Sequence, residues 1–172
     1  MQIARLAAMQ SRLNKLSLAI PSNSLQWRVL PFASLSLAEL YALLQLRTEV
    51  FVLEQNCVFQ DMDGADTNAL HVLGTDGDAA LMAYARLFPA GVKFAEASIG
   101  RVATHSHVRG SGIGHVLIQQ ALQALTGAWG PQPIRIGAQA HLKNFYQQHG
   151  FVDMGIPYVE DGIDHLEMLR QP

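Results

Sequence analysis

The chain predicts an α/β fold, a mixed sheet whose strands lead the order with helices packed on both faces. Three observations carry this. An alternating, β-branched run, Ser98-Ile99-Gly100-Arg101-Val102-Ala103-Thr104, leads into the glycine-rich turn Arg109-Gly110-Ser111-Gly112-Ile113-Gly114. An apolar helical pattern follows directly, on Val116, Leu117, Ile118, Ala121, Leu122 and Leu125. Downstream, a strand over residues 134–139, a short helix over 141–149 and a strand opening at Phe151 repeat the alternation.

The elements follow in order. Leu25, Trp27 and Val29 alternate with polar or charged neighbours and stop at Pro31, which suits an edge strand. Ser36-Leu37-Ala38-Glu39 is a capping box, opening a helix through Leu40, Leu43, Leu44 and Arg47 whose character extends to Gln55. Residues 61–68 read as a solvated acidic loop. Residues 70–75 and 80–88 are strands about the Asp76-Gly77-Asp78 turn. Residues 92–105 supply the next strand, in one piece or two. Period two sets Glu96, Ser98, Gly100, Val102 and Thr104 on one face of it, provided no bulge intervenes. Gly150 gives the short helix a left-handed cap, and the last two strands flank Asp161-Gly162.

At 172 residues and 49% hydrophobic content, the chain suits one domain with a sizeable core. A net charge of −2 without a basic stripe argues against nucleic acid as a partner. Cys57 is the only cysteine, which excludes an intrachain disulfide and suits a reducing cytoplasm. Residues 1–24 differ in composition, with Arg5, Arg12 and Lys15 among leucines and no acidic residue before Glu39. They read as a flexible N-terminal extension ahead of a single domain over residues 25–172. Nothing in them is long enough to span a membrane, and no membrane partner is expected.

Strand, glycine turn and helix in that order aim backbone N–H groups and a helix dipole at phosphate oxygens, and Arg109 adds a fixed charge. A dinucleotide fingerprint starting at Gly110 would need glycine where His115 stands. A Walker loop would need a lysine and a Ser/Thr pair that do not follow. The pattern that fits is [RQ]-x-x-G-x-[GA], met by Arg109, Gly112 and Gly114.

That pattern resembles the pyrophosphate signature of the GCN5-related N-acetyltransferases (GNAT). The later segment is similar to the family's N-x-x-A-x-x-x-Y-x-x-x-G-F, with Tyr146, Gly150 and Phe151 in register. Gln139 stands in place of asparagine and Leu142 in place of alanine. The runs at 40–47, 50–57, 83–86, 137–142 and 160–165 resemble the ElaA-like branch. The likeness covers residues 25–172.

The resemblance implies a mostly antiparallel central sheet splayed at the cofactor strand. It implies an enzyme moving an acetyl group from acetyl-coenzyme A to an amine, by direct attack in a ternary complex. Acetyl-coenzyme A is the cosubstrate, no metal is expected, the acceptor amine is unidentified, and the protein works as a monomer or homodimer. Arg109, Gly110, Ser111, Gly112, Ile113 and Gly114 would hold the pyrophosphate. Thr104 and Gln139 would meet the pantetheine arm, and an N–H at Val102 or Ala103 the acetyl carbonyl. Tyr146 would contact the cofactor and protonate the leaving thiolate. Glu96, Glu54 and His71 are the candidate bases for the amine, beside a water relay with no indispensable base.

Two further readings stand beside this one, a catalytically silent coenzyme A-binding module and transfer of a longer acyl chain. His105-Ser106-His107 lacks a third ligand at metal spacing and reads as a loop. The Asp61-Met62-Asp63-Gly64 stretch has its glycine too early for a calcium loop, and Val72 stands where the closing glutamate belongs. Cys57 is expected to be packed and unreactive, and residues 161–165 to be a hairpin tip near the acceptor.

Overall fold

The structure, a computed structural model, describes residues 25–172. The extension expected over residues 1–24 lies outside them. The strands are β1 (Gln26–Pro31), β2 (Leu70–Thr75), β3 (Leu81–Phe88), β4 (Ala97–Thr104), β5 (Ile134–Gln139), β6 (Val152–Glu160) and β7 (Ile163–Arg170). The helices are α1 (Leu37–Arg47), α2 (Ile113–Trp129) and the short α3 (Lys143–Gln147). All seven strands join one sheet in the order β1-β2-β3-β4-β5-β7-β6. Neighbours are antiparallel except β4 and β5, which the α2 crossover sets parallel.

Residue chemistry explains the helices. Ser36 Oγ accepts from the Glu39 N–H while the Glu39 carboxylate accepts from the Ser36 N–H, so the expected capping box starts α1. Beyond Arg47 the chain widens into π-helical turns over Thr48–Leu53, where the Glu54 N–H reaches the Glu49 carbonyl. α2 buries Ile113, Leu117, Ile118, Ala121 and Leu125 along one stripe, facing Ala85, Leu87, Ile99, Ile134 and Met168 of the sheet. Each leucine or isoleucine among them contributes roughly 1.5–3 kcal/mol when fully buried. On the opposite face, Leu43 and Leu46 of α1 pack on Tyr84 and Ala103. No helix among the described residues is long and apolar enough to cross a membrane.

Two irregularities set up the site. β4 and β5 pair only at Ala97–Ile134 and Ser98–Arg135, although β5 pairs with β7 along its whole length. From Ile99 onward the two strands diverge, and a wedge opens toward Thr104 and Gln139. The second is a β-bulge. Arg86 faces Gly100 and Tyr84 faces Ala103, so Arg101 and Val102 together oppose Ala85. Arg101 takes φ +50° there.

The bulge corrects the period-two expectation for β4. Ile99 and Val102, three residues apart, both join the core beneath α2, while Ala103 joins the core beneath α1. Val102 therefore leaves the face it would have shared with Ser98 and Gly100. Only one strand, β4, comes from the stretch 92–105, because residues 90–96 form a turn and bends. Gly137 also carries weight, since a Cβ there would lie 2.1 Å from the Tyr158 hydroxyl oxygen.

Candidate active site

The glycine loop is built to leave its donors free. Gly110 and Gly112 take φ +76° and +87°, the left-handed region that glycine enters without steric cost. Gly112 is the N-cap of α2, and no side chain caps it. The carbonyl of Gly112 accepts from His115 and Val116, so the N–H groups of Ile113 and Gly114 have no partner inside the helix. No acidic side chain stands in the first turn to repel an anion. Ser111 is turned inward, its hydroxyl donating to the Val108 carbonyl at 2.6 Å. A Cβ at Gly114 would meet the Phe145 ring at 3.6 Å, an ordinary van der Waals contact. His115 Nδ1 and His149 Nε2, 3.0 Å apart, tie the same turn to the end of α3.

Arg109 folds back from this loop onto the end of β4. Its Nε and Nη2 donate to the Thr104 carbonyl at 3.1 and 2.9 Å, and Nη2 lies 2.7 Å from Glu54. Across the wedge, Gln139 Nε2 donates to Gln55 Oε1 at 3.1 Å, and the Cys57 thiol donates to the Asp161 carbonyl. Residues 54–57 thus straddle the open end, joining the glycine loop to the β6–β7 hairpin. Asp164 and His165, expected near the acceptor, line a groove of about 630 Å³ beside that hairpin. His165 stacks on Tyr158 there at 5.3 Å.

Tyr146 is 7% exposed, standing edge-on to Phe145 and Phe151. Burial alone pushes its phenol up to about 12. It therefore keeps its proton across any ordinary assay range. Gly150, at φ +83°, closes α3 as expected, and the Phe151 N–H returns to the Tyr146 carbonyl. Leu142 packs against the core under α2.

The three candidate bases do not converge. His71 is fully buried, and both ring nitrogens are engaged. Nε2 donates to the Asp66 carbonyl at 3.0 Å, so Nδ1 must accept from the Tyr84 hydroxyl at 2.8 Å. Burial holds the ring below its ordinary pKa, so it is a neutral structural group with no lone pair to offer a substrate. Glu96 sits at the closed end of the wedge and accepts from Arg135 Nε and Nη2 at 2.9 and 2.7 Å. Those hydrogen bonds hold its carboxyl below the usual range, the wrong direction for a base. Glu54, half exposed, reaches only the phosphate end, through Arg109.

The acidic loop also differs from expectation. Asp61 and Asp66 are 5% and 8% exposed, and the loop is folded inward around cations. Fully buried Arg47 donates to Asp61 Oδ2 and Asp66 Oδ1, each at 2.7 Å, and to the Asp61 carbonyl at 3.0 Å. Arg86 grips Asp63 through both terminal nitrogens, Nη1 and Nη2, and Nη1 also donates to Asp66, all at 2.8 Å. Arg101 holds the other oxygen of Asp61 at 2.6 Å. Arg86 hydrogen bonds keep Asp63 far below the usual carboxylate range. At Asp66 burial works the other way, but Arg86 and Arg47 outweigh it.

The sheet is thus open at its parallel junction and α2 presents an uncapped glycine N-terminus, an arrangement that suits a phosphate-bearing ligand such as an acyl-coenzyme A. The acetyltransferase (GNAT) domain family matches residues 41–171. Protein ElaA of Escherichia coli (strain K12) is 44% identical over 149 residues, covering 86% of this chain and 97% of that protein. The crystal structure of Escherichia coli ElaA aligns with TM-score 0.79 at 43% identity, over 86% of this chain and 99% of that one. An acyl-CoA N-acyltransferase from Pseudomonas aeruginosa aligns with TM-score 0.81 at 45% identity, with the same coverage. The chain belongs to the GNAT acetyltransferase family, in its ElaA-like branch.

Proposed function

We propose that residues 25–172 form a single catalytic domain that transfers an acetyl group from acetyl-coenzyme A directly to an amine. The observation that carries this reading is the wedge with donors at both ends. The N–H groups of Gly112, Ile113 and Gly114 and the Arg109 guanidinium suit the pyrophosphate. The unpaired edge of β4 beyond Ser98 suits the amides of the pantetheine arm. The bulge re-aims the N–H of Val102, a donor for the carbonyl oxygen as charge develops there. Gln139 borders the wide end.

In the proposed step the amine nitrogen attacks the thioester carbon, forming the C–N bond as the C–S bond breaks. Tyr146 gives its proton to the departing sulfur, and the amine's proton passes through water, which restores the phenol. Position and a donor for the oxyanion supply the acceleration, and no protein carboxylate is indispensable.

Acetyl-coenzyme A should raise the melting temperature, because a ligand bound only by the folded state stabilises it. Gly112→Val should abolish that shift, measured against the variant's own ligand-free value. Valine is strained at φ +87° and blocks approach to the loop amides. A normal shift in the variant would put the phosphate site elsewhere. Thiol release from an acceptor panel of polyamines, amino acids and peptides then tests the transfer itself.

The absence of an indispensable base has its own test. The rising limb of kcat/KM against pH should survive in Glu54→Gln and Glu96→Gln alike, since it belongs to the free amine. Loss of that limb in either variant identifies the base and overturns the water route.

A further inference from the structure

Among the described residues, Arg101 is the one non-glycine residue inside a strand with positive φ. Such a conformation persists only where the surroundings over-determine it. A glycine would enter it freely but would hold it no better than its alternatives. The arginine instead offers a handle. Its guanidinium lies 5.8 Å from the Phe51 ring and 5.7 Å from the Phe59 ring, and its Nε donates to Asp61 Oδ1 at 2.6 Å. Asp61 cannot swing away, because its second oxygen and its carbonyl are both held by fully buried Arg47.

We propose that Asp61 is a positioning residue for acyl transfer, gripping Arg101 so that the β4 bulge, and the Val102 N–H within it, face one way. This rests on the reading that the bulge meets the thioester oxygen. The chain of contact runs from Arg47 on α1, through the inward-folded acidic loop, to the only strained residue of the cofactor strand. The loop between α1 and β2 thereby becomes part of the catalytic scaffold without touching substrate.

Three variants test it: Arg101→Gly, Asp61→Asn and the double variant. Arg101→Gly removes the handle without leaving a buried charge alone, since Asp61 keeps Arg47, so it guards against an Asp61 variant that fails to fold. In Arg101→Gly, kcat for thiol release should fall roughly ten- to a hundredfold. KM for acetyl-coenzyme A and the ligand-induced melting shift should stay within about twofold of the wild-type values. Asp61→Asn should add nothing to the kcat loss of Arg101→Gly in the double variant, although losses of stability still add. A kcat in Arg101→Gly within about twofold of wild type, or additive kcat losses, overturns the clamp.

Amide hydrogen exchange at Val102 and Ala103 reads the clamp without chemistry, and should quicken by about tenfold or more in Arg101→Gly. Unchanged exchange overturns the clamp. A wild-type protein that binds acetyl-coenzyme A yet releases no thiol with any acceptor overturns the acetyltransferase reading instead. The exchange result then decides the clamp alone.

Discussion

Tyr146→Phe retains acetyl-coenzyme A binding and loses turnover by roughly ten- to a thousandfold. Phenylalanine keeps the edge-on contacts with Phe145 and Phe151, so the core beneath α2 is undisturbed. What disappears is a proton donor whose pKa of about 12 keeps it loaded at every working pH. The loss should appear in kcat while the melting shift with acetyl-coenzyme A is preserved. Turnover equal to wild type at all pH values would make Tyr146 a packing residue and leave the thiolate to depart unaided.

Arg47→Met destabilises the fold by about 3–5 kcal/mol, because it removes the fully buried cation that two buried carboxylates share and leaves each with a single arginine partner. Asp61 and Asp66 both lose a 2.7 Å hydrogen bond, and the Asp61 carbonyl loses another. A lowered urea midpoint with unchanged slope is the expected signature. A loss below about 1 kcal/mol would show that Arg86 and Arg101 suffice to hold the loop.

The same cluster sets the acid sensitivity. Unfolded His71 takes up a proton below about pH 6.5, whereas the buried ring resists it. Stability therefore falls as pH drops from that value toward the lower folded pKa, since the unfolded chain binds the extra proton. Asp63 and Asp66, depressed in the fold, add a second loss below about pH 4. His71→Gln should flatten the upper part of the curve and leave the lower part.

Local chemistry was legible in the sequence where it is written in neighbouring residues. Ser36 with Glu39, the glycines of the loop and the Gly150 cap need no distant partner, and each sits as its spacing implies. The bulge was not legible. A residue such as Arg101 carries no mark of positive φ, and only its long-range grip by Asp61 makes that conformation tenable. The acidic loop misled for a related reason. Asp61, Asp63 and Asp66 look solvated until Arg47, Arg86 and Arg101, from three other elements, are brought against them. One signal was available: Arg47 continues the stripe of Leu40, Leu43 and Leu44 on α1, and a cation in line with core-facing leucines calls for a buried anion. His71 offered none, since a histidine opening a strand has the same letters whether it faces solvent or a tyrosine.

The two-pair junction between β4 and β5 makes the sheet a pair of leaves. One leaf, β1 to β4, is braced by the arginine–aspartate cluster; the other, β5 to β7, is an antiparallel unit pairing almost entirely with itself. Few backbone hydrogen bonds cross the seam, so the leaves are joined by the apolar core under α2 and by side-chain bridges such as Gln55–Gln139 and Glu96–Arg135. Cooperativity across such a seam travels through packing, and the two leaves are natural units of partial opening. A ligand seated between them, as proposed, would touch both leaves and couple their opening.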